Sequence, residues 1–264
     1  MLKLTQINIY PIKSTKGISL QSARLDDRGL EFDRRWMVVD EQGQFMTQRT
    51  LPAMALIHVA LQDDYLSVTS RGIGALSVPV HSGGPTMRVQ IFDDSLDAVD
   101  TGDDSSRWFS QVLGTRCRLV RMPEEPSRFV NLKYAPPKTA VGFADAFPLM
   151  LLSEASLKDL NERLAEPVPM NRFRPNLVVN GSYAFEEDTW RAIQIGAVTL
   201  RVAKPCARCT VPTVDQNTAE TGKEPIRTLS SYRTRDSKVY FGQNLIHEEA
   251  GVLSVGDEIR AITT

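Results

Sequence analysis

The run Lys204-Pro205-Cys206-Ala207-Arg208-Cys209 holds the densest chemistry in the chain: two thiols in one short motif, with an arginine between them. It follows the apolar stretch Val198 to Val202, which has the pattern of a strand. A strand running into a Pro-Cys turn would put both thiols at the mouth of a sheet, where a ligand can approach. The charge of Arg208 favours the thiolate form, and thiolate is a soft ligand suited to Cu(I), zinc, iron–sulfur and other thiophilic metals. The motif alone does not identify the metal. Closed structural zinc needs four ligands, and the remaining candidates are Cys117 and the scattered His58, His81 and His247. A thioredoxin-type dithiol normally opens a helix after a βαβ pattern, whereas Pro212 and the polar run Asp215-Gln216-Asn217 argue for a loop. Two buried structural thiols are a third reading, and the spacing leaves all three open.

Basic residues also stand beside turn formers in three places. Lys13-Ser14 follows Pro11, with Lys16-Gly17 next; Asp33-Arg34-Arg35 precedes Trp36; and Arg172-Phe173-Arg174-Pro175-Asn176 precedes Leu177. Arginine at a strand end can grip a phosphate or carboxylate bidentately, although any one surface charge usually just faces solvent. The formal net charge is -1, so no global field attracts nucleic acid or an anionic membrane, and neither is expected as a partner. An anion site must be local.

These residues need a scaffold, and 264 residues, 42% hydrophobic, supply a sizeable core without a disulfide or structural metal. Strand signals dominate the first hundred residues: Leu2 to Ile9, Trp36 to Val39 before the turn at Glu41-Gln42-Gly43, Leu56 to Leu61, Tyr65 to Val68 and Met87 to Phe92. Many short strands at this spacing suggest a barrel or sandwich. A helix is predicted at about Ser105 to Leu113, stopped by Gly114. The stretch Met122 to Lys138 is rich in proline and charge and lacks a period, which marks a boundary or a long surface loop. Beyond it, Leu151 to Leu157 signals a strand leading into a helix with Ser153 as N-cap, and further strands fall at Leu177 to Val179, Val198 to Val202, Val239 to Phe241 and around Val255. The expectation is a mostly β chain (α+β) with a few helices, in two parts: a barrel-like domain over 1–125 and a second over 126–264. Three cysteines, two of them in one motif, fit a reducing compartment. The Met1 end lacks the apolar core of a secretory signal, and no apolar run reaches membrane-spanning length. A soluble, cytoplasmic protein is expected.

Several motifs resemble one family. Asn8-Ile-Tyr-Pro-Ile-Lys-Ser14, the run from Ser153 to Asn161, Phe173-Arg-Pro-Asn-Leu-Val-Val179 and Lys204 to Cys209 are similar to MOSC-domain proteins, named for the C-terminal part of molybdenum cofactor sulfurase. Thr213-Val-Asp215, Lys223-Glu-Pro225, Thr228 to Arg233 and Phe241-Gly-Gln-Asn244 follow in the family's order, so the resemblance covers nearly the whole chain. It is nearest the YcbX type, related to the mitochondrial amidoxime reducing component. The resemblance implies an N-terminal MOSC β-barrel domain followed by a MOSC β-barrel domain. It also implies a molybdenum–molybdopterin cofactor (Moco) and reduction of N-hydroxylated small molecules. It places the molybdenum ligand at Cys209 and cofactor contacts at Lys13, Ser14, Arg34, Arg174, Asn176 and Arg208, and leaves Cys206 without a role. Asp215, in the loop after the ligand, is the expected acid. Two departures are visible. Pro212 stands where close relatives often have threonine, and the chain stops soon after Ile259, without the ferredoxin-like domain common in the YcbX type. Electrons are therefore expected from a separate ferredoxin- or flavoprotein-type reductase. Cofactor sulfurases share the domain, so the alternative is a sulfur (persulfide) or cofactor carrier with its cargo at Cys209.

Overall fold

The computed structural model describes residues 1–263 except Ser82. Its largest unit is a nine-stranded sheet, most of whose strands come from the second half of the chain. From one edge the order is Ile259–Thr263, Trp190–Ile195, Val198–Ala207, Lys238–His247, Leu149–Ser153, Leu177–Asn180, Lys3–Ile9 and Ile18–Leu20, with the short Thr234–Arg235 beside Lys238–His247. The first strand of the chain is thus an inner strand of this sheet, with Leu4 opposite Val179 and Ile7 opposite Leu177. One pairing is parallel, Leu149–Ser153 with Leu177–Asn180. A parallel pair needs a crossover, and the crossover carries the helix Glu154–Asn161. Ser153 caps that helix, accepting from the amide of Ser156, as its sequence predicts.

The other half builds two smaller sheets. One has the order Trp36–Val39, Arg118–Arg121, Asp94–Asp100, Thr86–Ile91; the other is His58–Gln62, Tyr65–Ser70, Ile73–Pro79. The helix Asp103–Leu113 closes over them and buries Trp108, Phe109 and Leu113 against Val68, Leu76 and Val78. It ends where Gly114 turns left-handed at φ +67°, a conformation that glycine adopts without strain. A third small sheet joins the two halves: Gly251–Ser254 pairs with Ser22–Asp26, which pairs with Gly29–Leu30. The mostly β expectation holds.

The stretch 122–138, expected as a boundary or a long surface loop, holds no helix or strand but buries Arg128, Val130 and Ala135. Two expectations need correction. The strands Ser22–Asp26, Ile73–Pro79, Asp94–Asp100 and Arg118–Arg121 were not foreseen. And the strand before the cysteines does not stop at Val202 but continues to Ala207. Among the described residues, no helix is long and apolar enough to cross a membrane.

Candidate functional site

Proline inside a strand removes a ladder donor and is tolerated at bulges. Val198–Ala207 has two such irregularities against Lys238–His247, between Val202 and Lys204 and between Pro205 and Ala207. Bulging does here what a Pro-Cys turn was expected to do. Cys206 remains in the strand, half-buried against the cluster of Phe173 and Phe241, and burial pushes its thiol up. The chain then leaves the sheet. The amide of Arg208 donates to the carbonyl of Val239 at 2.8 Å, and Cys209 stands exposed beyond it. A single 3-10 turn, Val211–Thr213, follows with Pro212 in it.

Cys206 and Cys209 both line a cleft of about 860 Å³, open mouth included. Lys13, Ser14, Arg34, Arg174, Asn176 and Arg208 line the same cleft, so seven of the eight residues singled out from sequence come together. Each arrives by a different route. Lys13 and Ser14 follow the first strand. Arg34 sits in the turn before Trp36–Val39. Arg174 and Asn176 follow the one-turn helix Met170–Arg172 and open Leu177–Asn180. Ser14, Arg34 and Arg174 all have left-handed backbones, at φ +69°, +49° and +54°. Such conformations cost a non-glycine residue on the order of 1–3 kcal/mol and gather at functional sites.

The eighth residue, Asp215, is elsewhere. Its carboxylate accepts from the amides of Asn217 and Thr218 at 2.8 and 3.0 Å and pairs with Arg172 at 2.9 Å. The amide of Asn217 chiefly, with Thr218 and Arg172, holds its pKa below the ordinary value against a weaker effect of burial. It is a loop brace, and a carboxyl held ionised is a poor acid, so that expectation is corrected.

The cleft's one acidic lining residue, among those described, is Asp145, which the sequence did not reveal. Its side chain is 65% exposed, open to the cleft. The surrounding protein works to raise its pKa, but Lys13 outweighs this by charge and by a 2.5 Å hydrogen bond and holds it at about 2. Lys13 Nζ also donates to the carbonyl of Phe143 at 2.9 Å. Its side chain is only 7% exposed, and burial lowers its pKa while Asp145 works to raise it. Arg34 and Arg174 lie over the ring of Tyr10, 4.3 and 4.2 Å from its centroid. Burial raises the Tyr10 phenol to about 12, so it stays neutral between them. Burial lowers Arg174 to about 10, still protonated at neutral pH. Asn176 Oδ1 accepts from Arg34 at 3.0 Å, and Arg208 donates to the carbonyls of Phe241 and Phe173 at 2.8 and 3.1 Å. Arg49 and Arg172 also line the cleft. Arg172 stood in a run already marked as basic, whereas Arg49 and Asp145 carry no local signal.

The lining holds six lysine and arginine residues against that one carboxylate, although Arg34 and Arg172 are also paired outside the lining, with Asp33 and Asp215. Among the described residues, no three His, Cys, Asp or Glu side chains gather to hold a metal. A metal bound at Cys209 would have to bring most of its ligands with it.

The fold and the cleft define a protein of two MOSC parts. Residues 1–116 match the MOSC N-terminal beta barrel domain, and residues 138–260 match the MOSC domain. The chain is 37% identical over 277 residues to mitochondrial amidoxime reducing component 2 of Rattus norvegicus, covering 97% of this chain and 82% of that protein. It is 36% identical to mitochondrial amidoxime-reducing component 1 of Mus musculus (97% and 81% covered) and 33% identical to that of Homo sapiens (97% and 82%). The chain belongs to the family of the amidoxime reducing components.

Proposed function

We propose that the cleft holds a molybdenum–pterin cofactor and that the chain reduces N-hydroxylated and similar N-oxygenated small molecules. Electrons would come from a separate ferredoxin- or flavoprotein-type reductase. One observation carries this reading: an exposed thiol, Cys209, beside a cleft lined by six cationic side chains and a single carboxylate. A lone protein thiolate suits a metal that brings its remaining ligands on its own cofactor. Guanidinium groups suit a pterin phosphate. Cys209 would be the metal ligand, and Lys13, Ser14, Arg34, Arg174, Asn176 and Arg208 would hold the pterin and its phosphate. The names of the relatives support amidoximes as the substrate class. A cytoplasmic location belongs to the same proposal and rests on cysteine usage.

When bound, the molybdenum supplies two-electron removal of oxygen from the N–O group. The protein binds, orients and handles protons. Cleaving an N–O bond to the reduced nitrogen and water consumes two electrons and two protons. Lys13 Nζ holds one proton at the wall of the cleft, against Asp145, and the burial that lowers its pKa makes it a better donor than an exposed lysine.

The test is metal and pterin analysis of protein made in a cofactor-competent host, followed by turnover of an N-hydroxylated base with a supplied reductant. Stoichiometric molybdenum and turnover are expected, with turnover lost and the metal's coordination altered in Cys209→Ala, and turnover retained in Cys206→Ala. Full activity in Cys209→Ala refutes the assignment. Sulfur transfer from Cys209 without any molybdenum dependence would establish the carrier instead.

A further inference from the structure

The stretch 122–138 contributes one buried charge of unusual connectivity. The Arg128 side chain is 4% exposed. Its Nε donates to Oδ2 of Asp94 at 2.6 Å. One terminal nitrogen donates to the carbonyls of Gly142, at 2.9 Å, and Ala144, and the other donates to the carbonyl of Asp145 at 2.8 Å. Every nitrogen of the guanidinium is engaged, and three of the four acceptors belong to one short segment, 142–145.

That segment forms part of the cleft wall. The amide of Phe143 donates to the carbonyl of Arg34 at 2.7 Å. Gly142 permits the approach, since a Cβ there would fall 2.7 Å from that same oxygen. Phe143 and Asp145 supply both acceptors of Lys13 Nζ. Asp94, the fourth acceptor, follows a hairpin turn whose Phe92 has φ +54°. Phe92 packs against Phe45 at a tilt, with ring centroids 4.7 Å apart, and Lys13 Nζ lies 5.5 Å from the Phe92 ring. Arg128 is not itself a lining residue of the cleft. Burying an arginine is costly unless it is paired and fully hydrogen-bonded, and apolar packing often serves stability as well. What apolar packing could not do is fix three carbonyls of one segment against a hairpin of the other half of the chain.

We propose that Arg128 is a positioning residue, anchored on Asp94, that locks segment 142–145 so that Asp145 stays against Lys13 and the cleft presents one fixed negative charge among its cations. The consequence for turnover rests on the cleft being the site of N–O reduction; the structural coupling does not.

The test uses the full chain without cofactor, labelled with 13C at aspartate carboxyls, and the Asp145 resonance is identified by its loss in Asp145→Asn. Lys13, Arg34 and Arg49 face this carboxyl in the native protein, so its resonance should show it ionised down to pH 4. In Arg128→Leu it should begin to protonate by pH 4, a weakening of the Lys13 pair of at least about tenfold, or one pH unit. Arg128→Lys and Asp94→Asn should move it part of the way, and they carry the test if Arg128→Leu does not fold. An unmoved resonance in the folded variants overturns the proposal, whatever happens to their melting temperature. Failure of the N-reduction reading shows separately, as absence of turnover in the molybdenum-loaded parent. Where the parent turns over, Arg128→Leu should cost at least about tenfold in kcat/KM, yet little more when added to Asp145→Asn. Additive losses overturn the coupling.

Discussion

Arg174 is strained by its backbone and held by its side chain, and the two effects can be separated. Its φ of +54° is left-handed, a region where a Cβ costs about 1–2 kcal/mol and glycine pays nothing. Its guanidinium donates to the carbonyl of Thr15 at 2.6 Å and lies over Tyr10. A charge-assisted hydrogen bond contributes about 1.5–3 kcal/mol, and a cation–π contact about 0.5–2 kcal/mol. Arg174→Ala removes both contacts and keeps the strain, so stability should fall by about 2–5 kcal/mol. Arg174→Gly removes the contacts and the strain together, and should be the more stable of the two by about 1 kcal/mol. This reverses the ordinary order, in which glycine is worse than alanine by roughly 0.5–1 kcal/mol. Urea unfolding of the cofactor-free chain measures both variants. A thermal scan should separate them by about 3 °C, the shift expected of a chain this size for each kcal/mol. An alanine variant as stable as the glycine variant would refute the claim that strain is stored at this position.

Asn176 is 1% exposed and ties the carbonyl of Asn8, the amide of Met150 and the guanidinium of Arg34, so Asn176→Ala should lower stability by about 3 kcal/mol in urea; a loss below about 1 kcal/mol would mean that water replaces the amide. Glu187 is 1% exposed, and burial raises its carboxyl against hydrogen bonds from Ser156 and Ser153. The native state therefore keeps this proton where the unfolded chain has lost it, and stability falls as pH rises above the ordinary glutamate value; Glu187→Gln should flatten that slope in urea midpoints measured from pH 4 to 8. With a thiol-reactive disulfide reagent, Cys209 should react at least about tenfold faster than Cys206 and Cys117, whose thiols burial raises; peptide mass spectrometry decides it, and equal rates for Cys206 and Cys209 would refute their unequal exposure. Asp215→Asn should loosen the loop after the cysteines by about 1 kcal/mol of stability and leave any pH–rate profile unmoved; a lost limb in that profile would restore Asp215 as the acid.

How much of this was legible depends on which interactions are local. Gly114 and Ser153 announce helix ends through their own backbone and hydroxyl chemistry, so the helix boundaries near them were readable. Asp94–Asp100 alternates correctly, with Leu96 and Ala98 buried, but its aspartates and serine are turn formers and hid the strand. Lys204 to Ala207 looked like a turn because proline seldom sits inside a ladder; the bulges that admit it depend on a partner strand more than thirty residues further on. Cations at strand ends stood out beside prolines and glycines. Asp145 and Arg128 did not, since both act from an aperiodic stretch and their partners, Lys13 and Asp94, are set by tertiary structure alone.

The cleft also shows how a chain of formal net charge -1 can build a strong local positive field. Most surface arginines here are spent on carboxylates: Arg118 on Asp100 and Asp103, Arg163 on Asp159, Arg233 on Asp188. In the cleft, the hydrogen-bond acceptors of Arg174 and Arg208 among the described residues are neutral, the carbonyls of Thr15, Phe241 and Phe173 and the sulfur of Met150. A carbonyl positions a guanidinium, less firmly than a carboxylate does, but leaves its charge uncancelled. In a partly desolvated wall that charge is screened far less than in water, where two unit charges 4 Å apart interact by only about 1 kcal/mol. Positioning and neutralisation are therefore done by different groups. The backbone holds Arg174 and Arg208 in place, Asp33 and Asp145 moderate Arg34 and Lys13, and the charge of Arg174 and Arg208 is left uncancelled at the cleft wall.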